Sequence, residues 1–596
     1  MIKNYNNEDL EKKQVNSTYF LFCQAWKELT EDKTLDSYQF KSFNVINALD
    51  ELLHNINNYL CNIVSNTYLI DSTVAELISC IKRDYVINRN FLDLRNRLLD
   101  VLCKKHDTYS NVKSLKYHVL YYKNELIPVY DTQIIQSIKE CNDNNDSKNE
   151  ILLISTFISR CVDNGWNPKA LFNKLDLREG KNLVTFLNNI LHCHSQEYVL
   201  LFPYRLKIQP PKGKTREQSK EYLNSQLKDF GISIYFKEEI IDIYPDIAKE
   251  KLSSPEYLSI SCKGKDVMSA SHVALTILSK YLSLFGFFSL IESWSLANSS
   301  WIIYNRECPY TVELKPSDIY GTYEYLDSSS SVYSRTKQLL LSDNVNNTFK
   351  QKLFASFNYA NLSTASLSLE EKYMNMWIAL ESLSRTDAHD NIINNILFSV
   401  PSACCLRYMY RLIRNFAEDC VRCGVSLDFN EINISIQNSN KEEIVSQLLK
   451  VLRDANKLQE LESRCSCNEL LKLRCLEIAD LANDESKFID KITAHYQTVC
   501  WHINRLYRIR NEIAHSALNP NISIIRYTEH LYDYLATYIS EIVRFAIDKK
   551  VETFESTTVA IMDNYKEFCF LATNKSIKSK SIALKKLWTA GTIDYV

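Results

Sequence analysis

Glycine is nearly missing from this chain, with nine residues in 596. Tight turns between strands use glycine wherever φ must be positive, so its scarcity excludes a turn-rich all-β fold and points to mostly helical structure. A charge excess is also missing. Seventy Lys and Arg stand against 72 Asp and Glu, a net charge of -2. That excludes a polybasic nucleic-acid coat and leaves only local patches for such contacts. No run is long and apolar enough for a membrane helix. The most apolar stretch, VALTILSKYLSLFGFFSLIESW (273–294), is broken by Lys280 and Glu292. Its uncharged span falls short of the ~20 residues needed to cross a bilayer, so a buried helix is expected there and no membrane contact. The amino terminus, MIKNYNNEDLEKK, has no apolar core, so no secretion signal is expected. The 18 cysteines are then expected as reduced thiols packed as small apolar groups, in a cytoplasmic protein. No internal repeat stands out.

What is present is ordinary globular material, 45% hydrophobic and 24% charged, with 36 Tyr and 25 Phe. The length suits about three or four domains. The expected fold class is mainly α and multi-domain, with a small α+β unit in the middle. Residues 1–195 read as helical; QFKSFNVINALDELLHNINNYL, for example, spaces its apolar residues by three and four. NDNNDSKN (142–149) reads as a polar loop. From 196 to 305 the pattern becomes strand, helix, strand, strand, helix, strand. The pieces are EYVLLFPYRLKIQ, a helix ending near Gly231, ISIYF, YLSISCK, a long apolar helix and SWIIYN. This order suggests a ferredoxin-like unit. Residues 306–365, with DSSSS at 327–331, read as a connection, 366–550 as a second helical region, and 551–596 as a basic tail. That tail carries Lys575, Lys578, Lys580, Lys585 and Lys586 beside Trp588.

The stretch RIRNEIAHSA (508–517) gathers Arg510, Asn511, Glu512 and His515 within six positions. A helix over HYQTVCWHINRLYRIRNEIAHS puts Val499, Ile503, Leu506, Ile509 and Ile513 on one apolar stripe. Asn504, Arg508, Asn511 and His515 fall opposite. Arg510 lies about 40° from the centre of the apolar face at ~100° per residue, where a charge needs an anionic partner or a cleft. His515 closes the helix ahead of Pro520. The helix dipole there favours an imidazolium, and Asn511 one turn earlier can orient the ring. These residue types suit phosphodiester chemistry. An arginine holds a phosphate by two parallel hydrogen bonds, and a histidine exchanges protons near neutrality. RNA brings its own nucleophile, the 2′-hydroxyl, so no metal or other cofactor is required, and the products are a 2′,3′-cyclic phosphate and a 5′-hydroxyl. The same spacing also fits the plain polar face of a helix.

Arg510-Asn511-x3-His515 resembles the R-N-x3-H signature of HEPN domains (higher eukaryotes and prokaryotes nucleotide-binding). Upstream, SLEEKYMNMWIALESLSR (368–385) is similar to the helix that precedes the motif in Apea-like HEPN proteins, with Trp377, Ala379, Leu380 and Glu381 in a W-x-A-L-E pattern. In that segment Ser368 and Glu371 form a capping box, and Leu369, Tyr373, Trp377, Leu380 and Ser384 line one side. The resemblance covers 366–550, with an insertion expected at about 390–490. It implies a helical bundle and a metal-independent endoribonuclease. Arg510 would hold the scissile phosphate, His515 would handle protons and Asn511 would fix geometry. Glu381 would pair with Arg510 or orient it, with Arg508 and Glu512 in support. It further implies a homodimer through the 510–515 face and a part in anti-phage defence with a phage or host trigger. A non-catalytic HEPN module that binds a nucleotide, RNA or protein is the alternative. The next helix supplies Tyr527, Leu531, Tyr534, Tyr538 and Ile542 as packing bulk.

Other clusters are weaker. Cys420-x2-Cys423 and Cys465-x-Cys467 lie in helical surroundings without the turns of a closed thiolate site, so no metal is expected. Adjacent His192, Cys193 and His194 point apart on a helix. Lys212-Gly213-Lys214-Thr215 resembles the end of a phosphate-binding loop, but Ile208 stands where that loop needs glycine. Arg205, Lys207, Lys212, Lys214 and Arg216 remain a candidate basic patch for an RNA backbone.

Overall fold

The structure, a computed structural model, describes residues 5–31, 43–63, 67–208, 215–288, 291–297, 299–307, 310–315, 331–366, 368–387, 389–429, 432–433, 441–516, 524–573 and 587. The chain is mainly α, with helix over 73% of it; the described residues also form a six-stranded antiparallel sheet and a two-stranded ribbon, Asp428–Phe429 with Ile432–Asn433. No helix among the described residues is long and apolar enough to cross a membrane.

The amino-terminal third is a stack of amphipathic helices, including Phe20–Thr30, Val45–Leu60, Tyr68–Arg83, Tyr109–Asp143 and Ser147–Asp163. Val45–Leu60 starts where Asn44 Oδ1 accepts the amide of Asn47 at 3.0 Å, and it buries Ile46, Leu49, Leu52, Leu53 and Ile56 at helical spacing. The 142–149 stretch is a short turn between two helices, with Asn145 at a φ of 55°.

In the middle, β1 (Gln196–Ile208) is the spine of the sheet. Its first half pairs with β3 (Glu256–Gly264) on one side and β5 (Trp301–Asn305) on the other, and its second half pairs with β4 (Ile291–Leu296). β2 (Ile232–Phe236) and β6 (Tyr310–Leu314) complete the order β2-β3-β1-β5-β6. All neighbours are antiparallel. The helices Arg216–Lys228 and Val267–Phe287 connect β1 to β2 and β3 to β4. The order β2-β3-β1-β5 is that of a ferredoxin-like split βαβ, to which β4 and β6 are additions. Alternate residues of β1 serve two separate cores. Leu200 and Phe202 pack with Leu258, Leu278 and Trp301, while Val199 and Leu201 pack with Tyr257 and Ile302.

Several boundaries differ from the expectation. The 273–294 run is a helix only to Phe287 and then becomes β4, because Ile291–Leu296 completes the edge offered by the far half of β1. Phe287 and Phe288 are 83% and 65% exposed rather than buried. The supposed connection 306–365 contains β6 and the helices Ser331–Leu341 and Asn347–Ala365. The supposed insertion opens with Ile392–Arg422, a helix packed on Leu369–Ser384, Glu485–Ser516 and Phe554–Thr573. Of the tail, Phe554–Thr573 belongs to this bundle; the five lysines named above and Trp588 lie outside the described residues, as do 327–330. The amino-terminal and carboxy-terminal helices share one continuous hydrophobic core, running from Trp26 and Leu49 through Trp377 and Ile503 to Ile561. Polar contacts cross the same junction: Asn6 Nδ2 donates to the Cys423 carbonyl at 2.9 Å, and the Leu470 amide donates to Gln24 Oε1 at 3.1 Å.

Gly264 shows how closely the sheet meets its covering helix. A Cβ there would stand 2.6 Å from the Ala270 amide nitrogen and 2.9 Å from its Cα. Gly264→Ala must push the start of Val267–Phe287 off the sheet, and a loss of about 1–3 kcal/mol is expected in urea denaturation. An unchanged midpoint would mean that this helix end moves freely.

Candidate functional site

The motif lies at the end of one helix, Glu485–Ser516. Asp484 caps its start, with Oδ1 accepting the amides of Ser486 at 2.9 Å and Lys487 at 3.2 Å. The expected apolar stripe is the buried one. Val499, Ile503, Leu506 and Ile509 are buried, and Ile513 is half-buried. Leu369–Ser384 lies against it. Tyr373 donates its hydroxyl to the Leu506 carbonyl at 2.5 Å, and the Trp377 and Tyr507 rings stand 5.8 Å apart. The capping box of that helix forms only in half. Ser368 Oγ accepts the Glu371 amide at 3.3 Å, but its hydroxyl donates to Glu370 at 2.8 Å. Leu531, Tyr534, Tyr538 and Ile542 of the helix Ile524–Asp548 are buried as packing bulk, and Tyr527 is half-buried.

The polar stripe fares differently from the expectation. Asn504 and Arg508 do not face an open groove; the amino-terminal helices cover them. Asn504 Nδ2 donates to Ser72 Oγ at 3.1 Å. Arg505 donates from Nε to Glu51 and from Nη2 to Glu76, both at 2.7 Å, and its guanidinium stacks over Phe43 at 3.6 Å. Arg508 reaches Glu51 at 2.7 Å and Glu512 at 3.0 Å, and Glu512 also meets His54 Nε2 at 2.6 Å. The side chains of Arg505, Arg508 and Glu51 are only 3%, 12% and 13% exposed. Burial alone would lower the Arg505 pKa, but Glu51 and Glu76 outweigh it and hold the guanidinium well above its ordinary value. Burial would likewise raise Glu512; His54 and Arg508 together pull it below the usual carboxylate range. Arg508 and Glu512 are therefore joined to each other and to Glu51 and His54, not to Arg510.

Arg510 has different surroundings. It is half-buried, its Nη1 donates to Asn511 Oδ1 at 3.1 Å, and its Nε is buried with no hydrogen-bond partner. At ~100° per residue it points about 160° away from Glu512, on the side of the helix the amino-terminal carboxylates do not reach. Glu381 takes the Trp377 indole instead, with Nε1 donating to Oε2 at 2.9 Å, and no ion pair joins it to Arg510 among the described residues. Asn511 is half-buried and Ala514 exposed, so the last turn emerges from the core. His515 stands in that turn; its side chain lies outside the described residues. Comparison of the chain with known protein families, curated proteins and solved structures finds no match.

The remaining candidates are scattered. Arg205 and Lys207 are exposed on the far half of β1, where Lys207 pairs with Glu292 at 2.5 Å. Lys212 and Lys214, like the Arg216 side chain, lie outside the described residues. Thr215 caps the following helix, exchanging hydrogen bonds with Gln218 at 3.1 and 3.2 Å. Cys420, Cys423 and Cys465 are buried thiols, and no metal-holding group of His, Cys, Asp or Glu occurs among the described residues. Glu51, His54 and Glu76 were invisible as site residues. Little in the sequence signals them: Glu76 is buried with Thr73 on a side of Tyr68–Arg83 apart from the apolar stripe Ile70, Val74, Leu77 and Ile81.

Glu51 serves Arg505 and Arg508 at once, so Glu51→Ala leaves two buried cations each short of a partner. A loss of about 3 kcal/mol is expected in chemical denaturation, the lower end for a broken buried pair, since Glu76 and Glu512 remain. A loss under about 0.5 kcal/mol, typical of surface pairs, would show that solvent screens this network.

Proposed function

We propose that the chain is a metal-independent endoribonuclease of the HEPN type, acting through Arg510, Asn511 and His515. The observation that carries this is the contrast among neighbouring arginines. Arg505 and Arg508 are neutralised by carboxylates, while Arg510 has none among the described residues and keeps a buried Nε without a partner. A guanidinium in that condition is suited to a phosphate. In the reaction the 2′-oxygen forms a bond to phosphorus as its proton passes to a base, and the P–O5′ bond breaks as O5′ takes up a proton. Arg510 would offset the charge gathering on the phosphoryl oxygens. His515 would move the protons, and Asn511 would hold the guanidinium by the bond it already makes.

The resemblance to Apea-like proteins is what supports a role in anti-phage defence with a phage or host trigger, and a homodimer that pairs two copies of the motif. A second reading, a non-catalytic module for RNA, a nucleotide or a protein, draws support from the covered stripe: Asn504, Arg508 and Glu512 spend their polar groups inside the chain.

Incubation with total RNA in EDTA separates the two. Wild type should cut and leave cyclic-phosphate ends, and Arg510→Ala and His515→Ala should each lose roughly 100-fold or more in rate. Binding without cleavage by all three proteins would favour the module. Equal cleavage by all three would remove these residues from the site.

A further inference from the structure

The proposed nuclease makes no use of a basic depression of about 430 Å³ lined by Arg83, Tyr85, Asn88, Arg89, Asn149 and Leu152. Arg83 is the last residue of Tyr68–Arg83, and Tyr85, Asn88 and Arg89 belong to the short helix Tyr85–Asn90. Asn149 lies in the first turn of Ser147–Asp163, whose positive dipole end therefore faces the depression. Lys148 stands beside it, exposed. Lys491, half-buried near the start of the motif helix, has its pKa lowered chiefly by burial; Glu477 opposes this, and Arg474, Arg83 and Lys148 add to it. Among the described residues Arg83 and Lys148 make no ion pair, whereas Lys491 lies in the field of Glu477; Arg83 turns back to the Ser79 carbonyl at 3.3 Å. Only Arg89 is neutralised, by Glu140 at 2.8 Å, while it also donates to the Tyr85 hydroxyl at 2.9 Å. Asn88 Nδ2 is fixed by the carbonyls of Ile81, Lys82 and Asp84, and Asn149 Nδ2 by Asp146 at 2.8 Å.

Arg83 and Lys148 are the two cations here that make no ion pair among the described residues, and both act on Lys491, so an anion beside them is stabilised. The depression is open to solvent and of small-molecule size, and it offers an aromatic ring and an aliphatic side chain beside two amides. We propose that this depression is a binding site for a small phosphorylated ligand, a mononucleotide, with Arg83 and Lys148 on the phosphate and Tyr85 and Leu152 against the base. The site is independent of the nuclease reading. The same helix that ends at Arg83 carries Ser72 and Glu76, which hold Asn504 and Arg505, so an occupant sits one rigid element away from the motif helix.

Calorimetric titration of the full chain tests this with AMP, adenosine, inorganic phosphate and a short single-stranded RNA. AMP should bind, with adenosine and phosphate each at least tenfold weaker. Arg83→Ala and Lys148→Ala should each weaken AMP about tenfold, while the exposed Lys113→Ala, placed on another helix, should leave it unchanged. Both site residues are exposed, and an unaltered melting temperature checks that the variants fold. No AMP binding at millimolar concentration overturns the proposal, as does phosphate binding as well as AMP. Affinity for RNA that exceeds AMP and falls with Arg83→Ala also overturns it, in favour of a backbone contact. Because RNA cleavage is not the readout, an inactive nuclease leaves the result intact.

Discussion

A guanidinium removed from water is tolerable only beside carboxylates, and Arg505 is that guanidinium here, with its side chain 3% exposed. Its partners, Glu51 and Glu76, come from two different amino-terminal helices, more than 400 residues away in the chain. The motif helix is thus held in place by a part of the sequence that carries no trace of the motif. Arg508, Glu512 and His54 extend the same network, and the shared hydrophobic core runs beneath it. Separating the two regions would expose that core and strand the buried charges, so 1–195 and 366–550 behave as one folding unit. Whatever the motif does, it does in the presence of the amino-terminal helices.

The arginines at 505, 508 and 510 show how position on a helix decides chemistry. Neutralised charges contribute little to attracting a polyanion, so Arg505 and Arg508 serve the fold. Arg510 is turned away from that network and beside the Leu369–Ser384 and apolar side of its helix. There Tyr507 meets Trp377, and Trp377 in turn occupies Glu381. Glu381 thus serves Trp377, and no ion pair joins it to Arg510 among the described residues.

Much of the architecture was legible from periodicity alone. The stripe Val499, Ile503, Leu506 and Ile509, the set Leu369, Tyr373, Trp377 and Leu380, and the strand order of the central unit all follow from local spacing, which the core rewards. What was hidden depends on partners distant in sequence. Asn504 and Arg508 read as a solvent-facing stripe because nothing near them predicts Ser72 or Glu51. The 273–294 run misled because the apolar letters of the helix run on into Ile291 and Trp294 of a partly exposed strand, and only pairing with β1 separates the two elements. The helices Asn347–Ala365 and Phe554–Thr573 looked like linker and tail since their apolar faces are diluted by Ser, Thr and Asn. Of the site itself, the motif residues were legible, and the cover over their neighbours was not.

That cover also constrains how two copies can meet. Face-to-face packing of motif helices needs a long open flank, and the flank bearing Asn504, Arg508 and Glu512 is occupied by Val45–Leu60 and Tyr68–Arg83. The helix has 32 residues and is about 48 Å long; its first half exposes Glu485, Lys487, Asp490, Thr493 and Gln497, but around the motif only the last turn, with Asn511 half-buried and Ala514 exposed, stands clear of the core. One turn supplies far less than the roughly 800 Å² per partner of a stable interface. The proposed homodimer would therefore need most of its contact area from surfaces other than the motif turn.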